Sequence, residues 1–243
     1  MSSALVERSI RCVSSYERRA REQGFSRIAG VDEVGRGCLF GPVIAAAVML
    51  DAERPIRYLR DSKIIEAEER EMLAGRIKRD CVSWAVGGAD PFEIDQINIY
   101  QASRLAMKRA VEALAIQPDY LLIDAVKVEL PLKQLPLING DARCRAIAAA
   151  SIVAKVHRDA CLSQWNALFP QYNLQSNKGY STPDHRRALR EHGPTFLHRY
   201  SFAPVRLNCS NVRWTGYLEP SQAQGQLFTP SEADQVALAG ASV

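Results

Sequence analysis

The sequence of 243 residues has no apolar run of the length that a membrane-spanning helix needs, which is about 20 residues. The apolar stretch at residues 41–50 is too short for one. The N-terminus carries Glu7, Arg8 and Arg11 where a secretory signal would need an apolar segment. We therefore expect a cytoplasmic protein that does not bind a membrane.

The sequence also lacks paired cysteines and a strong net charge. Its six cysteines show no C-x-x-C spacing, which argues against a zinc knuckle and a disulfide framework and favours reduced thiols; they are Cys12, Cys38, Cys81, Cys144, Cys161 and Cys209. The formal net charge of +4 permits a nucleic-acid partner without requiring one. Because 47% of the residues are hydrophobic, the chain can bury one sizeable core.

Residues 28–50 carry the most informative pattern, an apolar stretch that contains two adjacent acids and then Gly35-Arg36-Gly37. Ionised carboxylates buried in an apolar strand need a compensating charge, and a divalent cation supplies one. Neighbouring side chains on a strand point to opposite faces, so Asp32 and Glu33 need not share one ion, and we expect Asp32 to be the stronger ligand. The two glycines allow the backbone to approach a ligand closely, and Arg36 suits a phosphate.

This stretch has two other interpretations. A dinucleotide-binding loop would need its third glycine one position before Gly41, and the two acids would repel a pyrophosphate. A solvated turn with ordinary surface acids is common in proteins, but the apolar run at residues 43–50 argues against it.

The remaining sequence alternates between strand and helix patterns. Apolar spacing predicts helices over residues 5–24, 66–79, 91–116 and 142–169, and strands from residue 28 and over residues 43–50, 81–88, 120–123 and 135–138. This order predicts an α/β fold with a mixed sheet. Asp124 follows a buried strand, where open α/β sheets place their sites, and Asp141 lies near a helix start.

Six motifs in chain order make residues 25–214 resemble bacterial ribonuclease HII, the type 2 ribonuclease H. They are IAGVDEVGRG with GPV, DSK at 61–63, INIYQAS with AM at 97–107, LLIDAV, GDARCRAIAAASIVAKVHRD and NKGYSTPDH. The resemblance implies a ribonuclease H-like mixed five-stranded sheet flanked by helices, with a small helical C-terminal extension. We expect an N-terminal helical extension at 1–24, a catalytic domain at 25–215 and a disordered tail at 216–243.

The resemblance also implies the site residues. The acidic tetrad of the family, which is catalytic and holds the metals, falls on Asp32, Glu33, Asp124 and Asp141. Substrate-binding positions fall on Gly35, Arg36 and Gly37, which contact the 2′-hydroxyl, on Tyr180, which packs against a sugar, and on Lys63, near the substrate backbone. Oxygen ligands of this kind favour two Mg²⁺ or Mn²⁺ ions over zinc.

The activity implied is hydrolysis of the phosphodiester 5′ of a ribonucleotide, in RNA/DNA hybrids and in duplex DNA with embedded ribonucleotides. Two metal ions would assist the in-line displacement, leaving 5′-phosphate and 3′-hydroxyl ends, in the removal of RNA primers and misincorporated ribonucleotides. Two alternatives remain open at this point. One is a non-catalytic nucleic-acid-binding module, and the other is a ribonuclease H-like nuclease of different specificity, such as a resolvase or the type 3 enzyme.

Some residues stand apart from this pattern. Residues 38–40 replace a proline-containing turn that is more usual in the family, so we expect an altered loop there. Asp159 is too far along its helix from Asp141 to share a metal, and we expect it to pair with Lys155 or Arg158. The four histidines show no metal-binding spacing and are expected on the surface or in contact with backbone; they are His157, His185, His192 and His198.

The tail contains a further candidate motif. Gln224-Gly-Gln-Leu-Phe228 fits the Gln-x-x-Leu-Phe pattern of peptides that dock on the bacterial sliding clamp, although a glutamine-rich tail also produces such a pattern by chance. We otherwise expect a monomer.

Overall fold

A computed structural model describes residues 12–60 and 62–209 of the chain. Residues 5–11 of the expected N-terminal helix, residue 61 of the DSK motif and the whole tail with its clamp-like motif lie outside the described residues.

One mixed sheet of five strands forms the centre of the fold, in the order β3-β2-β1-β4-β5. The strands are β1 (Ile28–Val34), β2 (Val43–Met49), β3 (Ser83–Ala89), β4 (Tyr120–Asp124) and β5 (Lys133–Leu137). Strand β2 pairs antiparallel with both β1 and β3, whereas β4 pairs parallel with β1 and β5. The predicted α/β fold with a mixed five-stranded sheet is confirmed.

Helices cover both faces of this sheet, and three shorter α-helices follow α5 in the C-terminal part of the described chain. They are α1 (Ser15–Glu22), α2 (Ala67–Asp80), α3 (Pro91–Glu112), α4 (Gly140–Arg143), α5 (Arg145–Leu168), α6 (Leu174–Asn177), α7 (Pro183–His192) and α8 (Ala203–Arg206). None of the helices in the described part of the chain is long and apolar enough to cross a membrane.

Strand β2 shows how the two faces are divided. Val43, Ala45 and Ala47 pack into a core cluster with α3. Their neighbours Ile44, Ala46 and Val48 pack into a second cluster with α2 and α5, because successive strand residues point to opposite faces. Strand β2 is buried along its whole length, and this explains its uninterrupted apolar sequence.

Helix α5 lies unusually close to strand β1, and Gly30 makes this possible. A Cβ atom on Gly30 would lie 2.1 Å from the carbonyl carbon of Ala146. The small residues at the start of α5 allow the same close approach from the helix side. Helix α5 is therefore held directly over the strand that carries Asp32 and Glu33.

Three of the predicted helices differ in the structure, two of them because of long-range pairing. Helix α1 begins only at Ser15, because the backbone of Val13 pairs with that of Cys144 in an isolated β-bridge. That bridge also holds Cys144 in an extended conformation, which divides the predicted helix at 142–169 into α4 and α5. Helix α3 is interrupted at Asn98, where φ is 66° and ψ is 164°, and it ends at Glu112 rather than at residue 116.

Candidate active site

Three carboxylates meet at one edge of the sheet. Strands β1 and β4 run parallel, with Val31 opposite Ile123. The next residue of each strand is an acid, so Asp32 and Asp124 lie at the same edge of the sheet. Oxygen atoms of Asp32, Glu33 and Asp124 all lie within 4.8 Å of one another. Although Asp32 and Glu33 are strand neighbours, the structure thus brings both into a single cluster.

The negative charge of the cluster is not fully balanced by neighbouring cations, and the pKa values of its carboxyls are raised. Burial, followed by the charges of Glu33 and Asp124, raises the pKa of Asp32 well above its ordinary value. Burial also raises the pKa of Glu33, although the neighbouring Arg36 opposes this, and it raises the pKa of Asp124. Carboxyls in this state gain from any cation placed between them.

Hydrogen bonds orient the three carboxylates. The Asp32 carboxylate accepts the backbone N–H of Glu33 at 2.8 Å, and the Asp124 carboxylate accepts that of Gly140 at 2.7 Å. Glu33 Oε1 accepts from Arg36 at 3.1 Å, whereas its buried Oε2 has no hydrogen-bond partner among the described residues. An orphaned carboxylate oxygen in a cluster of hard oxygen donors fits a divalent cation such as Mg²⁺ or Mn²⁺.

The glycine turn follows directly after strand β1. Gly35 has φ of +89°, and a Cβ atom there would lie 2.3 Å from Nε of the buried Arg158, so both its conformation and its surroundings require glycine. Gly37 lies beside Tyr180, since a Cβ on Gly37 would be 3.8 Å from Cε1 of that ring. Tyr180 is 45% exposed. The turn and the tyrosine thus form one accessible surface beside the acids.

Comparison with known proteins decides the family. A family model described as Ribonuclease HII matches residues 29–205. The chain belongs to the ribonuclease HII family. The ribonuclease HII of Koribacter versatilis is 57% identical to it over 196 residues, which cover 81% of this chain and 77% of that protein.

Solved structures show the same architecture. The ribonuclease H2 from Pyrococcus horikoshii superimposes with a TM-score of 0.65 at 24% identity, covering 75% of this chain and 97% of that one. The ribonuclease HII in the PCNA:RNase HII complex from Archaeoglobus fulgidus gives a TM-score of 0.61 at 25% identity, covering 72% and 94%.

Membership confirms the resemblance seen in the sequence motifs. The protein is a ribonuclease H, a hydrolase that acts on nucleic acid. Ribonucleases H use divalent metal ions, and the acidic cluster agrees with this.

The fourth acid of the expected tetrad, Asp141, lies outside the group of three. One oxygen of Asp141 accepts from Lys63 Nζ at 2.9 Å, and the other accepts from the N–H of Ala142 at 2.9 Å. Its charge nevertheless contributes to the raised pKa of Asp32 and of Asp124. The structure therefore pairs Asp141 with Lys63 outside the cluster of three acids.

Residues 38–40, which depart from the usual family sequence, belong to the buried interior. Cys38 forms a bridge with Tyr180, and the N–H of Leu39 donates to the carbonyl of Gly179 at 2.7 Å. The ring of Phe40 makes edge contacts with Trp165 and His198, among other aromatic side chains. These residues therefore connect the glycine turn to the segment that carries Tyr180.

Two buried arginines, neither of them predicted from the sequence, support this region. Arg158 donates to the carbonyls of Phe40 at 3.0 Å and Lys178 at 2.9 Å. Arg199 donates to the carbonyls of Gly41 at 2.9 Å and Arg36 at 2.8 Å, and burial lowers its pKa to about 9. The sequence offered one signal for the burial of Arg158, which is its position on the otherwise apolar face of a helix.

Asp159 confirms the prediction that it pairs with Lys155 or Arg158. It pairs with Lys155 at 2.8 Å, as expected, and with Arg70 at 3.8 Å. Arg158 is not its partner, because the guanidinium of Arg158 turns inward to backbone carbonyls.

The histidines divide into two groups. His157 and His192 are exposed, as the sequence analysis expected. His185 and His198 are both fully buried and meet the other alternative of that expectation, contact with backbone. Each of these two does contact backbone, since His185 bonds the carbonyl of Tyr180 and His198 bonds the N–H of Thr195.

Proposed function

We propose that this enzyme hydrolyses the phosphodiester 5′ of a ribonucleotide, both in RNA/DNA hybrids and in duplex DNA with a single embedded ribonucleotide. The products would carry 5′-phosphate and 3′-hydroxyl ends. Its role would be the removal of RNA primers and misincorporated ribonucleotides. One observation carries the proposal: the acids Asp32 and Glu33 and the glycine turn lie on consecutive residues of one chain segment, beside Asp124 and Tyr180.

The recognition side of the proposal rests on the glycine turn. The 2′-hydroxyl is the group that distinguishes a ribonucleotide from a deoxyribonucleotide. Gly37 is exposed and leaves its backbone open to close approach, the buried Gly35 allows the turn that presents it, and the exposed Arg36 offers a cation for a phosphate. Tyr180, exposed next to Gly37, is suited to pack against the adjoining sugar.

The chemical side rests on the acids. Asp32, Glu33 and Asp124 would hold two divalent ions, with Asp141 completing the set. When bound, such ions stabilise negative charge on a phosphate and activate water. The residues themselves supply fixed oxygen donors, because Gly140 and the backbone of Glu33 lock the carboxylates of Asp124 and Asp32 in place. Arg36 similarly orients Glu33.

A nicking assay tests the proposal directly. The substrates are a labelled duplex with one embedded ribonucleotide, the same duplex in all-DNA form and an RNA/DNA hybrid, each with Mg²⁺ or with Mn²⁺. We expect cleavage on the 5′ side of the ribonucleotide, no cleavage of the all-DNA duplex, and no activity after chelation. Cleavage of the all-DNA duplex, or incision at another position, would show a different specificity.

Asp124→Asn is the informative variant in that assay. It keeps the size of the side chain and an oxygen acceptor for Gly140 but removes a charge from the cluster. We expect at least roughly a hundredfold loss of cleavage with duplex binding retained. Asp80→Asn, a partly buried acid at the end of α2 and outside the acidic cluster, is the matched control and should retain full activity. An active Asp124→Asn enzyme would contradict the metal-binding role.

We also propose a sliding clamp as a partner, reached through Gln224–Phe228. The support is the motif itself and the relative from Archaeoglobus fulgidus, which was solved in complex with PCNA. Deleting the last twenty residues should abolish clamp binding, and Leu227→Ala with Phe228→Ala should do the same. Val236→Ala with Leu238→Ala is the control. Unchanged clamp binding by the truncated enzyme would exclude the motif.

A further inference from the structure

Two histidines lie in contact beneath the segment that carries Tyr180. His185 on α7 and His198 are both fully buried, and their Nε2 atoms are 3.2 Å apart. The rings of Phe40 and Tyr172 pack against His198, with centroids at 4.9 and 4.7 Å. The pair therefore occupies the interior between the glycine turn region and α7.

The contacts determine which nitrogen of each neutral ring carries the proton. The backbone N–H of Thr195 donates to Nδ1 of His198 at 2.9 Å, so that nitrogen must offer a lone pair. The proton of His198 is then on Nε2 and donates to Nε2 of His185. His185 in turn carries its proton on Nδ1 and donates it to the Tyr180 carbonyl at 2.9 Å. The reverse arrangement would set two donors against each other at Thr195.

The surroundings favour neutral rings. Burial lowers the pKa of His185, and burial together with the charge of His185 lowers that of His198 to about 3. The nearest acid, Asp184, accepts from the side chains of Thr182, Asn173 and Asn177 instead of from either ring. The other ring neighbours named above are aromatic, so no carboxylate in the described residues hydrogen-bonds to the pair.

We propose that His185 and His198 are positioning residues for Tyr180, acting through this chain of hydrogen bonds. The chain begins at Thr195 and ends at the Tyr180 carbonyl, which also accepts the N–H of Thr182 at 2.8 Å. Hydrogen bonds that hold the Tyr180 carbonyl in place also hold the backbone that positions the Tyr180 ring beside Gly37. The inference rests on the proposed function, because it assumes that Tyr180 contacts the substrate.

The protonation pattern is testable without substrate. Long-range ¹⁵N–¹H NMR of the full-length enzyme near neutral pH should show His185 protonated only on Nδ1 and His198 only on Nε2. The two exposed histidines, His157 and His192, serve as internal references. The opposite tautomers, or a charged ring in the pair, would overturn the hydrogen-bond chain whatever the substrate is.

Two substitutions of nearly equal size test the positioning role. Asn at position 185 can place its amide N–H close to the position of the histidine Nδ1, whereas Leu cannot donate at all. On a duplex with one ribonucleotide, we expect His185→Leu to lower kcat/KM about tenfold and His185→Asn to stay within about threefold of the native enzyme. Equal losses in both variants at matched folded fractions would indicate a merely structural role and overturn the proposal.

A double-mutant comparison separates this inference from the proposed function. If His185 acts through Tyr180, His185→Leu should cause no further loss in a Tyr180→Ala background. Additive losses, with Tyr180→Ala itself impaired, would overturn the positioning role alone. A fully active Tyr180→Ala enzyme would instead show that the proposed substrate contact of Tyr180 fails.

Discussion

At the scale of single residues, the acidic cluster makes the metal-free enzyme less stable than its core alone would. Asp32 is only 5% exposed and lies within 4.8 Å of two other carboxylates. Its pKa in the folded protein is raised well above the ordinary value, chiefly by burial. The folded protein therefore holds this proton more tightly than the unfolded chain does, and the resulting stabilisation is lost as the pH rises through the folded pKa.

Asp32→Asn should therefore stabilise the metal-free protein near neutral pH. The amide removes one buried charge and retains an oxygen that accepts the N–H of Glu33. We expect a gain of about 1–2 kcal/mol in the free energy of unfolding, measured by urea titration with a chelator. The gain should shrink as the pH falls through the raised folded pKa and should be absent below the unfolded pKa of about 3.9, where the carboxyl is neutral in both states. A variant less stable than the native protein near neutral pH would contradict this.

Tyr180→Ala should affect substrates unequally. Its ring is exposed beside Gly37, where the sugar at an RNA–DNA junction would lie in the proposed complex. We expect a loss of about tenfold or more in kcat/KM on a duplex with one ribonucleotide, and a smaller loss on a long RNA/DNA hybrid. Tyr58→Ala, which removes a tyrosine that is 72% exposed, is the control. Equal loss on all substrates would argue against a contact with the junction sugar.

At the scale of secondary-structure elements, helix α5 is capped by a side chain from another helix. Glu17 on α1 accepts the N–H of Ala146 at 2.9 Å, and Cys144, the residue before α5, provides no side-chain cap. Glu17 is 5% exposed although it lies on a short surface helix. Helix α1 therefore supports the helix that covers the active-site strand.

Loss of this cap should destabilise the fold. Glu17→Ala should lower the free energy of unfolding by about 1–2 kcal/mol, as for other lost helix caps, whereas Glu17→Gln retains an acceptor and should lose less. Glu22→Ala, which removes an exposed partner of Arg18 on the same helix, should change stability by less than about 0.5 kcal/mol. Denaturant unfolding of the three variants provides the measurement. Equal losses for Ala and Gln at position 17 would contradict a capping role.

The elements also show what the sequence could predict. Periodicity located strands β2 and β4 and most of helices α3 and α5, because their apolar faces follow the geometry of the elements. It could not predict the extended Cys144 or the late start of α1, since both depend on a bridge between residues far apart in sequence. The interruption at Asn98 depends on local backbone, where its side-chain oxygen accepts the N–H groups of Tyr100 and Gln101.

The same distinction applies to the site. The motif pattern located Asp32, Glu33 and Asp124, and the strand pairing explains their meeting. Lys63 was expected near the substrate backbone, yet its pairing with Asp141 joins residues 78 positions apart and leaves no local trace. The burial of His185 could not be foreseen either, because a basic helical stretch gives no sign of which side chain turns inward.

At the scale of the whole molecule, we propose that residues 25–215 form the complete catalytic domain, with an extension at 1–24 and a tail at 216–243. The family match over residues 29–205 supports this division. Removing residues 216–243 should leave the free energy of unfolding and the nicking rate on free duplex unchanged within about twofold. Urea titration and the nicking assay test this. A clear loss of either property would show that the tail belongs to the domain.

Helix α5 touches both halves of the proposed site. The side chain of Ser151 acts on Asp32, where it opposes the rise in pKa of that carboxyl, and Arg158 lies under Gly35. These two residues are seven positions apart, or about two helical turns and 10.5 Å of rise. The helix thus fixes the distance between the residue that contacts the acids and the residue that contacts the glycine turn. A one-residue insertion between them would rotate Arg158 by about 100° away from the turn, so the length of this stretch of the enzyme should be fixed.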